Sequence, residues 1–271
     1  MKILAMHGTV MTCASLALLV ACAPAPPTPP PARADLAPTG TLRAGINFAN
    51  ALLTSTNAAT GERGGLAVDL ARELGRRLEV PVEIVPFESA GALADAAKAG
   101  VWDVAFLGAE PQRASEINFT AAYVEIASTY LVPAGSPIKT VADADRDGVR
   151  IAIAEKSAYD LFLSRSLQRA KLERAAGVDN AFKLMVADKM DALAGLRPVL
   201  VTYVEKLPGS RVLDDAFTTV QQAIGTPKGR EIGAQYLREF VEDIKASGLV
   251  AATIEKNNVR GLTVAPPATA P

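Results

Sequence analysis

Strand-like and helix-like stretches alternate from residue 40 to residue 264, and this alternation restricts the possible folds more than any other feature. Residues 42–46 read as a strand. Residues 66–78 place Leu66, Leu70, Leu74 and Leu78 on one helical stripe. Residues 80–87 are strand-like, with Pro81 near the start. Residues 90–98 are an Ala-rich helix closed by Gly100, and 102–107 form a short strand of the buried type. The pattern resumes with a strand at 149–154 feeding a helix from Ser157 to about Leu167. A helix near 178–190, a strand at 191–194 and a helix near 198–206 follow. The last clear helix starts near Arg230, with Ile232, Leu237, Phe240, Val241 and Ile244 expected on its buried face. Repeated strand–helix units imply an α/β architecture with largely parallel sheets. The segment 132–148, rich in Pro, Gly and Asp, interrupts the rhythm and reads as a boundary between two lobes.

The chemistry-bearing residues are distributed unevenly. The single histidine, His7, and both cysteines, Cys13 and Cys22, fall within the first 22 residues. That stretch has the form of an export signal: Lys2 gives a positive start, and the apolar core at 14–21 is short for a membrane span. Leu19-Val20-Ala21-Cys22 resembles a bacterial lipobox, which implies cleavage before Cys22 and lipid attachment to it. An ordinary secretory signal cut nearby is the plainer reading. Cleavage would leave a chain with no histidine and one terminal cysteine. Ser-His-Asp and Cys-His catalysis, imidazole or thiolate zinc sites and intrachain disulfides then drop out, and no cofactor or metal is expected. A net charge of −1 without a cationic cluster argues against nucleic acid as a partner. Residues 23–39 hold seven of the 18 prolines and read as a polyproline-II spacer. The Pro/Ala-rich end, 265–271, reads as disordered.

Four motifs, in order, carry a resemblance to a known family. They are Gly40-Thr41-Leu42-Arg43-Ala44-Gly45; Gly65-Leu66-Ala67-Val68-Asp69-Leu70-Ala71; Gly100-Val101-Trp102-Asp103-Val104 with Pro111-Gln112-Arg113 and Phe119-Thr120-Ala121-Ala122-Tyr123; and Gly225-Thr226-Pro227-Lys228 before a long helix. Together they resemble the family 3 extracellular solute-binding proteins of ABC transporters, of the polar amino acid type. The resemblance implies a two-lobed type II periplasmic binding protein fold with two crossing hinge strands. Lobe 1 would be 40–132 plus 218–264, and lobe 2 would be 133–217. It also implies a periplasmic or cell-surface monomer, lipid-anchored to a bacterial membrane, that closes on a small ligand and presents it to an ABC permease.

The resemblance assigns the ligand carboxylate to Arg113, whose planar guanidinium can donate two parallel hydrogen bonds. Without that resemblance, Arg113 would read as a surface arginine paired with Glu110 or Glu116. Ser157 and Ala158 stand where the family has an anion-binding turn at a helix start. Ser157 with Asp160 also fits a capping box. Tyr159, Gly108, Phe48 and Phe87 are expected around the pocket, the two phenylalanines as aromatic walls. Two positions depart from the family. Leu196 stands where an ammonium-binding aspartate is usual, and Glu110 replaces a threonine. Either Glu110 supplies the missing charge or the ligand has no α-ammonium. Arg197 could add a second cation, although solvent exposure is its plainer reading.

The expected function is therefore a non-catalytic, lipid-anchored receptor for a carboxylate-bearing solute, an amino acid or other organic acid. An enzyme of the cyclohexadienyl dehydratase kind is the alternative, with Glu110 or Glu155 as a general acid whose pKa burial would raise. A sensory lipoprotein that has lost import is the third.

Overall fold

The computed structural model describes residues 30–268. The signal-like segment 1–21 and Cys22 lie outside the described residues.

The first element is α1 (Pro30–Leu36), followed by β1 (Leu42–Asn47) and a small hairpin of β2 (Ser55–Thr56) and β3 (Arg63–Gly64). Then come α2 (Leu66–Leu78), β4 (Val82–Phe87), α3 (Ala90–Asp95) and β5 (Val104–Gly108). The 16-residue β6 (Ile117–Val132) carries the chain out of lobe 1. Lobe 2 is built from β7 (Arg150–Ala154), α4 (Ala158–Ser166), β8 (Lys171–Ala175), α5 (Val178–Ala187), β9 (Ala192–Leu196), α6 (Arg197–Val204) and β10 (Arg211–Val212). The chain returns through β11 (Thr218–Pro227) and ends with α7 (Glu231–Ala246), α8 (Leu249–Lys256) and β12 (Thr263–Val264).

One sheet path, β4-β1-β5-β11-β6-β9-β7-β8, joins the lobes. Within each lobe the pairs are parallel, β1 with β4 and β5, and β7 with β8 and β9. β6 and β11 are the antiparallel pair between them. The far end of β6 already belongs to lobe 2, because Ser128 to Leu131 pair with β9. The chain thus crosses inside β6, upstream of the Pro- and Gly-rich segment where the sequence places the boundary. On β11 the register shifts at Gln222, Ala223 and Gly225. The Thr120 hydroxyl accepts from the Ile224 N–H at 3.1 Å and satisfies the backbone there.

Helix α2 forms where its leucine stripe predicts it, with Leu66, Leu70, Leu74 and Leu78 all at most 1% exposed. Glu79, left-handed at φ 54°, ends it. Three expectations need correction. The stretch 23–39 is not extended throughout: Pro30 and Pro31 occupy a first helical turn, where proline lacks only an N–H that has no intrahelical acceptor. Ala32 and Leu36 are buried, and the Asp35 carboxylate accepts from the Gly233 N–H at 2.9 Å, capping α7. On α7 the buried face is Gly233, Ala234, Leu237, Phe240, Val241 and Ile244, while Ile232 is 52% exposed. The two small residues leave the seat for α1. The C-terminal stretch is ordered as far as it is described. Ala265 is buried and donates to the Tyr123 carbonyl, and the Ala268 N–H donates to Glu242 at 3.1 Å.

Lobe 1 also holds a buried charge cluster. Asp103, fully buried, accepts from Arg43 Nη2 and Arg230 Nη1, both at 2.8 Å. It ties β1, β5 and the start of α7 together.

Candidate functional site

The parallel strands of both lobes point their carboxyl ends at the same gap, the place where open α/β sheets expose loops to a ligand. Ile46 and Asn47 close β1, Phe106 to Gly108 close β5, Ala154 closes β7 and Leu196 closes β9, and all line one interlobe cavity. Val220 and Gln222 of β11 line it from the hinge. About 100 Å³ is open to the centres of water-sized molecules. One such molecule needs only about 10–15 Å³ by that measure, so a small organic solute fits.

Arg113 follows β5 on a short 3₁₀ turn, Arg113–Ser115. It is 5% exposed and lines the cavity. Its Nη1 donates to the Gly108 carbonyl at 2.7 Å, within lobe 1. Its Nη2 donates to the Lys156 carbonyl at 2.8 Å, across the gap in lobe 2. Lys156 is left-handed, at φ 52°. A guanidinium carries five N–H donors, so donors remain for a ligand after these two bonds. Burial lowers the Arg113 pKa to about 10, against the opposing pull of Glu110 and Asp95, so the group stays charged at neutral pH.

The lobes touch around this arginine. Lys156 Nζ lies 2.6 Å from Asp95, and Arg165 Nη1 of α4 lies 2.6 Å from Glu110. The second contact is an ion pair without hydrogen-bond alignment, since Glu110 Oε2 has no hydrogen-bond partner among the described residues. Two glycines permit the approach. A Cβ on Gly91 would meet Lys156 Cβ at 2.6 Å, and one on Gly108 would meet Ala158 Cβ at 2.9 Å.

Of the residues expected at the site, the cavity brings together Gly108, Arg113, Ser157, Ala158 and Tyr159. Ser157 also caps α4, its hydroxyl accepting from the Asp160 N–H at 3.0 Å. The Asp160 carboxylate accepts instead from the Lys156 N–H, so the reciprocal half of a capping box is shifted by one residue. Burial pushes the Tyr159 phenol up to about 12, which keeps it neutral. The starts of α4 and α5 face the cavity through Ala158 and Val178, adding partial positive charge.

Phe48, Phe87 and Glu110 do not line it. β4 is an edge strand, one strand removed from β5, and Phe87 packs instead on the cluster around Trp102. The Phe48 ring lies under the Arg63 guanidinium, 5.2 Å from it. Glu110 faces Arg165. Arg197 is engaged elsewhere, donating to the carbonyls of Leu213, Asp214 and Asp215. Glu155 lines the cavity but is exposed, and Glu110 is buried outside the lining, so neither is a buried carboxylate facing the cavity. Asn47, Asn50, Ser89 and Gln222 also line it. No motif marks them; the only signal in the sequence is their place at or just after strand ends, and for Gln222 within a hinge strand.

No curated protein sequence matches the chain. Solved structures do match. The solute receptor for L-cysteine of Neisseria gonorrhoeae is 22% identical, with 84% of this chain and 95% of that one covered and a TM-score of 0.72. A mutant of ArgBP from T. maritima is 21% identical over 83% of this chain and 98% of that one, with a TM-score of 0.70. The ancestral amino acid-binding protein AncCDT-1, described as a precursor of cyclohexadienyl dehydratase, is 23% identical over 83% and 97%, with a TM-score of 0.69. At these identities the likeness establishes the fold, the two-lobed type II periplasmic binding protein fold. Family membership comes from the sequence profile that matches residues 42–258, nearly the whole two-lobed body: the chain belongs to the bacterial extracellular solute-binding proteins, family 3.

Proposed function

We infer that the protein is the receptor of an ABC importer and clamps a small carboxylate-bearing solute between its lobes. The observation that carries this reading is Arg113, a buried cation in the cavity wall, hydrogen-bonded to one carbonyl from each lobe. A carboxylate accepting its remaining N–H groups would meet a donor already fixed in place and shielded from water, where a charged hydrogen bond is worth most. The names of the similar structures, which include receptors for cysteine and arginine, support a solute with such a group. The Asp95–Lys156 and Glu110–Arg165 pairs suit a closed form that a permease could recognise.

The export signal and Cys22 support a lipid-anchored chain outside the cytoplasmic membrane. Labelled fatty acid should enter the chain in cells and be lost in Cys22→Ala. For the site, the test is a thermal shift screen of amino acids and organic acids. At least one acid should raise the melting temperature by mass action, and Arg113→Ala should abolish the rise. An Arg113→Ala protein that binds the same acid equally well sinks the assignment.

A further inference from the structure

Among the described residues lining the cavity, the one buried charge is positive. Among the described residues lining it, the carboxylates are Glu88 and Glu155, and both are exposed. Arg113 is 5% exposed. Glu110, the nearby acid that could have served the interior, is turned to Arg165 and lies outside the lining.

The neutral polar groups add no second charge. Asn47 Oδ1 accepts from the Ala49 N–H at 3.1 Å, and Asn50 Oδ1 from the Leu52 N–H at 3.2 Å. Ser89 Oγ accepts from the Ala92 N–H and Ser157 Oγ from the Asp160 N–H, each at 3.0 Å. Four side-chain oxygens at the cavity are thus engaged by their own turns and helix starts. The Asn47, Asn50, Ser89 and Ser157 donors remain for a ligand, while the Thr54 hydroxyl, which donates to the Asn50 carbonyl, and the Gln222 amide oxygen leave acceptors in the same wall. The remaining wall is apolar: Leu53, Phe106, Tyr159, Val178, Leu196 and Val199.

Resting on the reading of this cavity as the solute site, we propose that its solute is a monocarboxylate with an apolar body and no ammonium on the carbon next to the acid group. A carboxylate held by Arg113 brings any α-ammonium into the same water-poor space, close to a like charge. No buried carboxylate among the lining residues is there to receive it, and desolvating an unpaired ammonium is strongly unfavourable. An uncharged α-carbon carries no such penalty, and an apolar body gains from the leucine, valine and aromatic wall.

The experiment is titration calorimetry of the full-length chain against matched pairs: leucine with 4-methylpentanoate, phenylalanine with 3-phenylpropanoate, and methionine with 4-(methylthio)butanoate. The expected result is that, in at least one pair, the deaminated acid binds at least tenfold more tightly than the amino acid. If no pair shows that preference, while some member of a pair or some other acid in the thermal shift screen binds, the inference is overturned and the receptor reading stands. If no member of any pair binds, and no other acid in the thermal shift screen does, both fall together.

Discussion

The Arg113 guanidinium in lobe 1 donates to the Lys156 carbonyl in lobe 2 at 2.8 Å, so one residue of the cavity wall also links the two lobes. On the proposed reading, binding and closure share one side chain. Arg113→Lys keeps the charge but loses the fork that reaches Gly108 and Lys156 at once. The expected outcome is solute affinity reduced about tenfold in Arg113→Lys, and by a hundredfold or more in Arg113→Ala, where a charged hydrogen bond of ~1.5–3 kcal/mol is lost along with the attraction of the cation. Calorimetry with the best solute from the screen checks the order of the two variants.

Gly91 is the second residue of α3, where alanine is a better helix former than glycine. Its Cβ would nonetheless collide with Lys156 of the other lobe at 2.6 Å. Gly91→Ala should leave the melting temperature of the ligand-free protein unchanged or slightly higher while wedging the lobes apart. Small-angle scattering should show a larger radius of gyration than wild type, and solute affinity should fall. An unchanged scattering profile with full affinity would show that this contact yields freely.

Acid should weaken lobe 1 through Asp103. Burial alone would raise its pKa, but the hydrogen bonds from Arg43 and Arg230 outweigh burial and hold it below the usual carboxylate range. A carboxyl lowered in the folded state stabilises fully above its unfolded pKa, about 3.9. That contribution is lost as pH falls through the folded value. Urea unfolding should therefore show a falling midpoint below about pH 4. Asp103→Asn should unfold more easily at pH 7, by ~3 kcal/mol, and should show a smaller further loss on acidification.

Asp35 is the cap that α7 lacks in its own sequence, since Arg230 at the N-cap supplies no side-chain acceptor. Asp35→Ala should lower stability by about 1 kcal/mol, read as a shift in the urea midpoint at constant slope.

The elements legible in the sequence are those whose burial is one-sided. α2 shows its leucine stripe because its other face is wet, and its expected span of 66–78 is the observed one. The two hinge strands carry no such period. β6 is buried or half-buried along its whole length, and β11 mixes Thr and Gln with its apolar residues because it runs through both lobes. α8 follows α7 across Gly248, left-handed at φ 77°, and is too short to announce itself. At the cavity, Gly108, Arg113, Ser157, Ala158 and Tyr159 are picked out by the family resemblance rather than by local pattern, which alone would leave Arg113 a surface arginine. Phe48, Phe87 and Glu110 have the same proximity in sequence. Their direction depends on which strand is the edge and which cation lies across the gap, and local pattern does not encode either.

The uninterrupted sheet path has a mechanical consequence. With β6 and β11 zipped by backbone bonds from Ile117 to Ser128, the halves cannot swing on a loose joint. Release must twist a spring of peptide ladder, and the irregular stretch at Gln222 to Gly225, stitched by Thr120, is where that spring has the fewest rungs to resist. The twist that opens the halves is thus resisted beside the cavity wall that Gln222 forms, by how firmly the Thr120 hydroxyl holds the Ile224 amide.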